Sequence, residues 1–312
     1  MANVYDIVII GGGAAGFTAG LYAARDRCRA LLLERFSAGG QVLNCEHIEN
    51  YPGFPEGIAG YSLGPLLQQQ ATNLGLEMKL AEVHEVRLDG ETTVLQTDDG
   101  EVRAKALIIA TGSSFTKLGI PGEDEFFGNG VSHCASCDGA FFMDQPVAVV
   151  GGGDAALDEG MHLTQYASQV TIIHRRDTLR ACQLLQERAR SKEKLAFRWN
   201  TVVQAIEGDD TVRRIQIEDV KTGERSQLEV GGVFLYIGLT PNTQFLNGLL
   251  PLNERGQIIT DLSMRTAIPG ILAAGDVRCE SSRQLISAAG DGATAALAAV
   301  RYLQSGQWEG KN

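Results

Sequence analysis

Apolar residues in this chain gather into short continuous runs that stop at a glycine or at a polar residue. Val8-Ile9-Ile10, Ala30-Leu31-Leu32-Leu33, Ala106-Leu107-Ile108-Ile109, Val147-Ala148-Val149-Val150, Val170-Thr171-Ile172-Ile173, Val233-Phe234-Leu235-Tyr236-Ile237 and Ile271-Leu272-Ala273-Ala274 are the main ones. Runs of this length bounded by turn signals read as strands buried on both faces, the kind that parallel sheets contain. Between them the pattern predicts helices from Ala19 to Arg25 and from Gly64 to Leu74, and a small-residue helix from Gln284 to Tyr302. Asp98-Asp99-Gly100 marks a turn between strands.

Two of the runs lead into the same kind of turn. Val8-Ile9-Ile10 enters Gly11-Gly12-Gly13-Ala14-Ala15-Gly16, and Val147 to Val150 enters Gly151-Gly152-Gly153-Asp154-Ala155-Ala156, with Ala in place of the last glycine. In the strand–turn–helix setting such glycines let the chain turn sharply and bring backbone N–H groups to a pyrophosphate at the positive end of a helix. Glu34 ends the next strand 23 residues after Gly11, where a carboxylate can accept from both hydroxyls of an adenosine ribose. His174 holds the matching place in the second copy, followed by Arg175, Arg176 and Arg180. A carboxylate that would repel a 2′-phosphate is replaced there by guanidinium groups that grip phosphate oxygens. The first site therefore reads as FAD or NAD, the second as NADPH.

Length and composition agree with a doubled nucleotide fold. At 312 residues the chain is long enough for two domains, and its 37 glycines and 6% aromatic content suit α/β layers with tight turns. The expected class is α/β, with two Rossmann-like three-layer domains. The segment after about residue 246 has a strand and a helix but no sheet of its own, so it is expected to rejoin the first domain. That gives a discontinuous domain of residues 1–114 and 246–312, an inserted domain of 115–245, and linkers near Ser113 to Lys117 and Thr240 to Phe245 that could hinge.

A net charge of −11 argues against nucleic acid, whose phosphates a binding surface must neutralise. Apolar runs are too short for a membrane span, and the first ten residues lead straight into a fingerprint, so a cytoplasmic location is expected. Six cysteines are too few for a disulfide scaffold; Cys28, Cys45, Cys182 and Cys279 are scattered singles. Trp308 lies in a polar tail, Ser305 to Asn312, expected to be disordered in preference to the alternative that it covers something apolar.

Cys134-Ala135-Ser136-Cys137-Asp138 carries the chemistry. A CxxC pair can close and reopen a ring, and such surroundings lower a thiol pKa from about 8.5 towards neutrality. Asp138 supplies an acid that can protonate a leaving thiolate and take the proton back; His133 is a possible assistant or a solvated neighbour.

These residues, in this order, resemble the low-molecular-weight thioredoxin reductases of bacteria, within the pyridine nucleotide–disulfide oxidoreductase flavoproteins. The likeness spans nearly the whole chain and includes Gly39-Gly40-Gln41, Glu49 to Gly53, Ala110-Thr111-Gly112, Cys134 to Gly139, His174 to Ala181, Gly275-Asp276 and Arg283-Gln284. It implies that FAD is held by Gly11, Gly13, Ala14, Ala15, Gly16, Glu34, Gly40, Gln41, Asn50, Ala110, Thr111, Gly112, Gly275, Asp276, Arg283 and Gln284. It implies that NADPH is held by Gly151, Gly153, Asp154, Ala155, His174, Arg175, Arg176, Arg180, Ile237 and Gly238. It further implies that Cys137 faces the flavin, Cys134 attacks thioredoxin, Asp138 carries the proton, and two copies form a homodimer.

Other readings stay open on sequence alone. The donor could be ferredoxin or another reductant; the enzyme could be a dithiol oxidase, or the protein a non-catalytic redox sensor. A zinc module on Cys134 and Cys137 lacks a second CxxC or a close His pair, and no metal is expected.

Overall fold

The computed structural model describes residues 4–45 and 47–308. The chain divides into two compact units, Met1–Ser114 with Thr240–Asn312, and Phe115–Leu239. Its return to the first unit comes at Thr240, a few residues before the expected 246, because the crossing is itself a short strand.

The first unit opens with β1 (Val4–Ile10), α1 (Ala14–Arg25) and β2 (Ala30–Glu34). Helix α2 (Gly60–Thr72) begins four residues before the Gly64 expected from the pattern. The reason is contact: a Cβ at Gly60 would lie 1.7 Å from the Val42 carbonyl oxygen, so only glycine lets the helix start against that loop. Strands β3 (Glu77–Leu80), β4 (Val83–Asp89), β5 (Thr92–Thr97) and β6 (Gly100–Ile109) follow, and β7 (Ser113–Phe115) leaves the unit.

The second unit contains β8 (Val131–Ser132), the short helix α3 (Ala135–Asp138), β9 (Pro146–Gly151), α4 (Asp154–Leu163), β10 (Gln169–Ile173), α5 (Gln183–Arg190) and β11 (Leu195–Arg198). Strands β12 (Thr201–Gly208), β13 (Val212–Asp219) and β14 (Arg225–Glu229) form an antiparallel sheet, and β15 (Gly232–Tyr236) completes a parallel one of order β11-β10-β9-β15-β8. The chain returns through β16 (Leu239–Pro241), which pairs with β7, and ends with β17 (Ile271–Ala273) and α6 (Leu285–Ser305).

In the first unit the parallel strands run β3-β2-β1-β6, with β17 on the C-terminal half of β6 and the β5-β4 meander on its N-terminal half. Period-two alternation sorts the core. Ile7, Ile9, Leu32 and Ile108 pack under α1 and α6, while Val8, Leu31, Leu33, Leu107 and Ile109 face Val86, Leu95 and Ile258. The second unit repeats the scheme: Val147, Val149, Ile172 and Phe234 lie under α4 and α5, and Ala148, Val150, Ile173, Val233 and Leu235 face Val203, Ile215 and Ile217 of the antiparallel sheet. Each fully buried aliphatic side chain contributes about 1.5–3 kcal/mol, so both faces of each sheet are needed. Both units are three-layered and Rossmann-like, with the fingerprint turns at the C-terminal ends of β1 and β9.

Trp308 corrects the expectation of a disordered tail. Its indole N–H donates to the Thr266 carbonyl at 3.2 Å, its ring meets Tyr302 edge-on at 5.1 Å, and Arg265 donates to its carbonyl. Amphipathic Trp can cover apolar core while keeping one polar contact, which outweighs the polar composition around it. Residues 309–312 of that tail lie outside the described residues.

Candidate active site

The two fingerprint turns are built alike. Gly11 adopts φ +105°, and a Cβ there would lie 2.3 Å from the Ala110 oxygen; a Cβ at Gly16 would lie 1.8 Å from the Gly11 oxygen. At Gly151 the same addition would meet the Tyr236 oxygen at 2.6 Å. Gly13 and Gly153 sit at the N-caps of α1 and α4, face open space, and have no side-chain cap. Both helices therefore present unsatisfied N–H groups and a positive dipole end to whatever enters, as a pyrophosphate site requires.

The strand-end residues lean over these turns. Glu34 is half-buried; one oxygen accepts from Gly12 N–H at 2.6 Å and the other from Phe36 N–H at 3.0 Å. His174 is buried over Gly152, and its Nε2 lies 3.0 Å from the Thr178 carbonyl. Burial, then the Arg180 and Arg176 charges, push its pKa below the usual histidine value, so the ring is neutral at pH 7. Each turn is tied to the loop after its second strand: Gly39 N–H donates to Gly12 O at 2.7 Å, and Arg180 N–H to Gly152 O at 2.7 Å. Cys182 N–H donates to Asp154 Oδ1 at 2.7 Å.

Arg175, Arg176 and Arg180 are exposed, and among the described residues none pairs with a carboxylate. Asp177 between them is engaged by Lys221 at 3.1 Å, so the loop remains cationic. This donor set fits a 2′-phosphate.

Further along the first unit, Thr111 and Gly112 are clamped by Asn242, which sequence reading missed. Thr111 Oγ1 donates to Asn242 O at 2.8 Å, Asn242 Nδ2 donates to Thr111 O at 2.8 Å, and Asn242 N–H donates to Gly112 O at 3.1 Å. Gln41 donates to Ser113 O at 3.0 Å, and Asn50 donates to Gln284 Oε1 at 3.2 Å. Gly40 lies against Gly13. These contacts pair Asn50 with Gln284 and Gly40 with Gly13, and Ala110, just past the end of β6, lies next to Gly11.

Gly275 N–H donates to Asp291 at 3.1 Å, and Asp291 also takes two bonds from Arg278, at 2.7 and 2.8 Å. Asp291 and Arg278, unlike Gly275, were not singled out from the sequence; one acid inside a helix rich in alanine and glycine was the only hint. Asp276 accepts from Ser281 at 2.8 Å, and burial raises its carboxyl above the ordinary value against the pull of Ser281, Arg283 and Arg278. Arg283 is exposed at φ +55°, and it lines a polar pocket of about 370 Å³ with Asn253, Arg255, Gln257, Glu280 and Ser281.

In the second unit Cys134 and Cys137 form a disulfide across α3, with Cα atoms 5.3 Å apart; Cys28, Cys45, Cys182 and Cys279 are free. The cluster of metal-donor side chains among the described residues is Glu82, His84 and Asp98, away from the pair. Cys134 is half-buried and Cys137 exposed, and Cys137 N–H points at Cys134 Sγ at 3.2 Å. Asp138 Oδ2 accepts from Ser132 at 2.6 Å, and the Cys134 N–H donates to the same Ser132 hydroxyl at 3.0 Å. Ala135 N–H is shared by Glu159 at 3.1 Å and the Tyr236 hydroxyl at 3.2 Å. Burial and the Glu159 charge raise the Tyr236 pKa, keeping the phenol protonated. His133 is held: Nδ1 lies 2.8 Å from Leu235 O and the ring stacks on Phe115 at 4.8 Å. Ile237 and Gly238 follow directly on Tyr236, with Gly238 at φ +144°.

A doubled glycine fingerprint, a cationic loop at the second copy and a disulfide in the same unit are an uncommon set, and a family model described as pyridine nucleotide-disulphide oxidoreductase matches residues 5–293. The chain belongs to this family. It is 44% identical to the thioredoxin reductase of Treponema pallidum over 98% of this chain and 99% of that one. The Listeria innocua thioredoxin reductase is 46% identical over 97% of this chain and 95% of its own. The crystal structure of Lactococcus lactis thioredoxin reductase (FR conformation) superposes with a TM-score of 0.94 at 46% identity, covering 96% of this chain and 99% of that one.

Proposed function

We propose that the protein is a thioredoxin-disulfide reductase that uses NADPH, FAD and the Cys134–Cys137 disulfide. The observation that carries this reading is the disulfide's place in the unit that also holds the cationic fingerprint. The first unit is then the FAD domain and the second the NADPH domain. When bound, FAD supplies the two-electron relay between a nicotinamide and a disulfide.

The residues divide the remaining work. Uncapped α1 with Gly11, Gly13 and Gly16 offers N–H groups to the FAD pyrophosphate, Glu34 accepts from ribose hydroxyls, and Asp276 accepts from the ribitol chain. Uncapped α4 and the three arginines do the same for NADPH and its 2′-phosphate. The net reaction, NADPH + H⁺ + disulfide → NADP⁺ + dithiol, needs one proton beyond the hydride. Asp138, next to Cys137, is the acid that delivers it. Cys134 then gives up its proton and attacks the thioredoxin disulfide as a thiolate, forming a mixed disulfide and releasing one thioredoxin thiolate, which takes that proton up. Attack of Cys137 on Cys134 Sγ restores the ring and frees the second.

Nicotinamide site and disulfide belong to one unit, so the two half-reactions require different parts of it at the flavin, and β7 and β16 are the segments that would flex. Among the described residues no helix is long and apolar enough to cross a membrane. A cytoplasmic homodimer is part of this reading, supported by the family resemblance. The deciding experiment is anaerobic titration of the purified protein with NADPH, followed by a thioredoxin-coupled assay. Bleaching of a bound flavin with thioredoxin turnover is expected; a colourless protein, or bleaching only by ferredoxin, overturns the assignment.

A further inference from the structure

Ser132 lies at the end of β8, buried to 5% exposure, and its hydroxyl is the hub of the redox turn. It donates to Asp138 Oδ2 at 2.6 Å and accepts from Cys134 N–H at 3.0 Å, and the Cys134 carbonyl oxygen lies 3.4 Å away. A hydroxyl has one proton to give and two lone pairs to offer. With Asp138 ionised, that proton points at the carboxylate and one lone pair holds the Cys134 amide. With Asp138 protonated, the carboxyl O–H can turn its own proton onto the second lone pair, and the serine proton can swing to the Cys134 carbonyl. Both protonation states are then fully satisfied with no heavy atom displaced.

We infer that Ser132 is a positioning residue that holds Asp138 in one place through its whole proton cycle and ties that place to the peptide of Cys134. The inference rests on the reading of Asp138 as proton carrier in disulfide reduction. In that step two electrons cleave the S–S bond, one sulfur takes the proton brought by the hydride, and the other takes the proton of Asp138. The carboxylate is later reprotonated from water. Ser132 keeps its own proton throughout and only changes which oxygen receives it.

Other titratable groups around the turn are occupied elsewhere. Glu159 on α4 and Tyr236 on β15 share the Ala135 N–H, His133 faces the Leu235 carbonyl, and Tyr166 after α4 lies behind Gly139. None of these contacts substitutes for the hydroxyl of Ser132.

The test is the pH dependence of thioredoxin turnover by the flavin-loaded enzyme for Ser132→Ala, Ser132→Thr, Asp138→Asn and the Ser132→Ala/Asp138→Asn double variant, with flavin content measured in each. The bond to the ionised carboxylate is the stronger of the two, and losing a hydrogen bond to a charged acceptor is worth roughly a tenfold effect or more, so in Ser132→Ala the alkaline limb, above which the acid has lost its proton, should move up by about one pH unit, while turnover on the plateau should fall about tenfold as the acid loses its fixed place. Ser132→Thr, which keeps the hydroxyl, should restore the limb. Adding Ser132→Ala to Asp138→Asn should cost little further, because the hydroxyl acts through the carboxyl. An unmoved limb in Ser132→Ala, or an undiminished cost in the double variant, overturns the inference. A full-rate Asp138→Asn enzyme overturns both the inference and the proton-carrier role, while leaving thioredoxin reduction itself standing.

Discussion

Replacing Asp291 by Ala should strike the first unit harder than any other single change to a polar residue there. The carboxylate sits on α6 with its side chain 9% exposed, against Arg278 at 14%. It receives three hydrogen bonds, two from the guanidinium and one from Gly275 N–H. Removing one partner of a buried ion pair typically costs about 3–5 kcal/mol, because the other charge is left in a poor dielectric. Arg278 keeps its bond to Cys279 O at 2.8 Å, which places the expected loss near the lower end, about 3 kcal/mol. For a unit of this size each kcal/mol lowers Tm by about 2–4 °C, so flavin release on heating should begin about 6–12 °C earlier. Release is read from the rise in flavin fluorescence of the loaded protein, alongside circular dichroism. The control is Asp291→Leu with Arg278→Met, which removes both charges. Gly275 N–H is then unpaired, at about 1–3 kcal/mol, and the Cys279 carbonyl, on a half-buried residue, loses its guanidinium donor, but no charge is left buried, so the double variant should melt above the single one. A single variant that melts within 2 °C of the parent on this scale, or a double variant that is worse than the single, would show that the pair does not support the turn.

Three further expectations are independent of that one. Changing Arg175, Arg176 and Arg180 together to Ala should raise KM for NADPH by about a hundredfold, at roughly 1 kcal/mol per exposed contact, and leave NADH nearly unchanged; equal losses with both nucleotides would remove the phosphate argument. Cys137→Ser should retain flavin and its bleaching by NADPH but show no thioredoxin turnover, and full turnover would contradict the redox role of the pair. Asp276 has a raised folded-state pKa, so the native state binds more protons than the unfolded chain between the ordinary and raised values; stability falls as pH rises through that window and the penalty persists at pH 7. Asp276→Asn should therefore stabilise the flavin-free protein at pH 7, with the gain vanishing below the ordinary aspartate range, while loosening flavin retention; urea melts at pH 3 and 7 would expose a gain of the opposite pH dependence.

The parallel sheets were legible because continuous apolar runs and glycine turns are local signals, and both fingerprint strands end within a residue of where the pattern puts them, although β1 starts four residues before the expected Val8. Helix α5 and the antiparallel β12-β13-β14 sheet carried little signal, since their apolar faces are sparse and interrupted by charge. The redox turn was visible as Cys134, Cys137 and Asp138, whereas Ser132, Glu159 and Tyr236 reach it from other elements and touch it only after folding. Asn242 is the same case: it lies 131 residues from Thr111 in sequence yet exchanges two bonds with it. Trp308 shows that composition alone misjudges a tail when one large side chain finds a groove in the core.

The strands by which the chain leaves and re-enters the first unit are hydrogen-bonded neighbours. A segment whose two ends meet can be spliced in or out of a host with small loop-closure entropy, since joining adjacent ends costs little and grows only logarithmically with loop length. Each unit also has its own sheet and its own core. A gene encoding residues 115–239 alone, and one joining 114 directly to 240 through a few glycines, should thus each yield a folded product. That modularity suits an ancestry in which one nucleotide fold was copied into another.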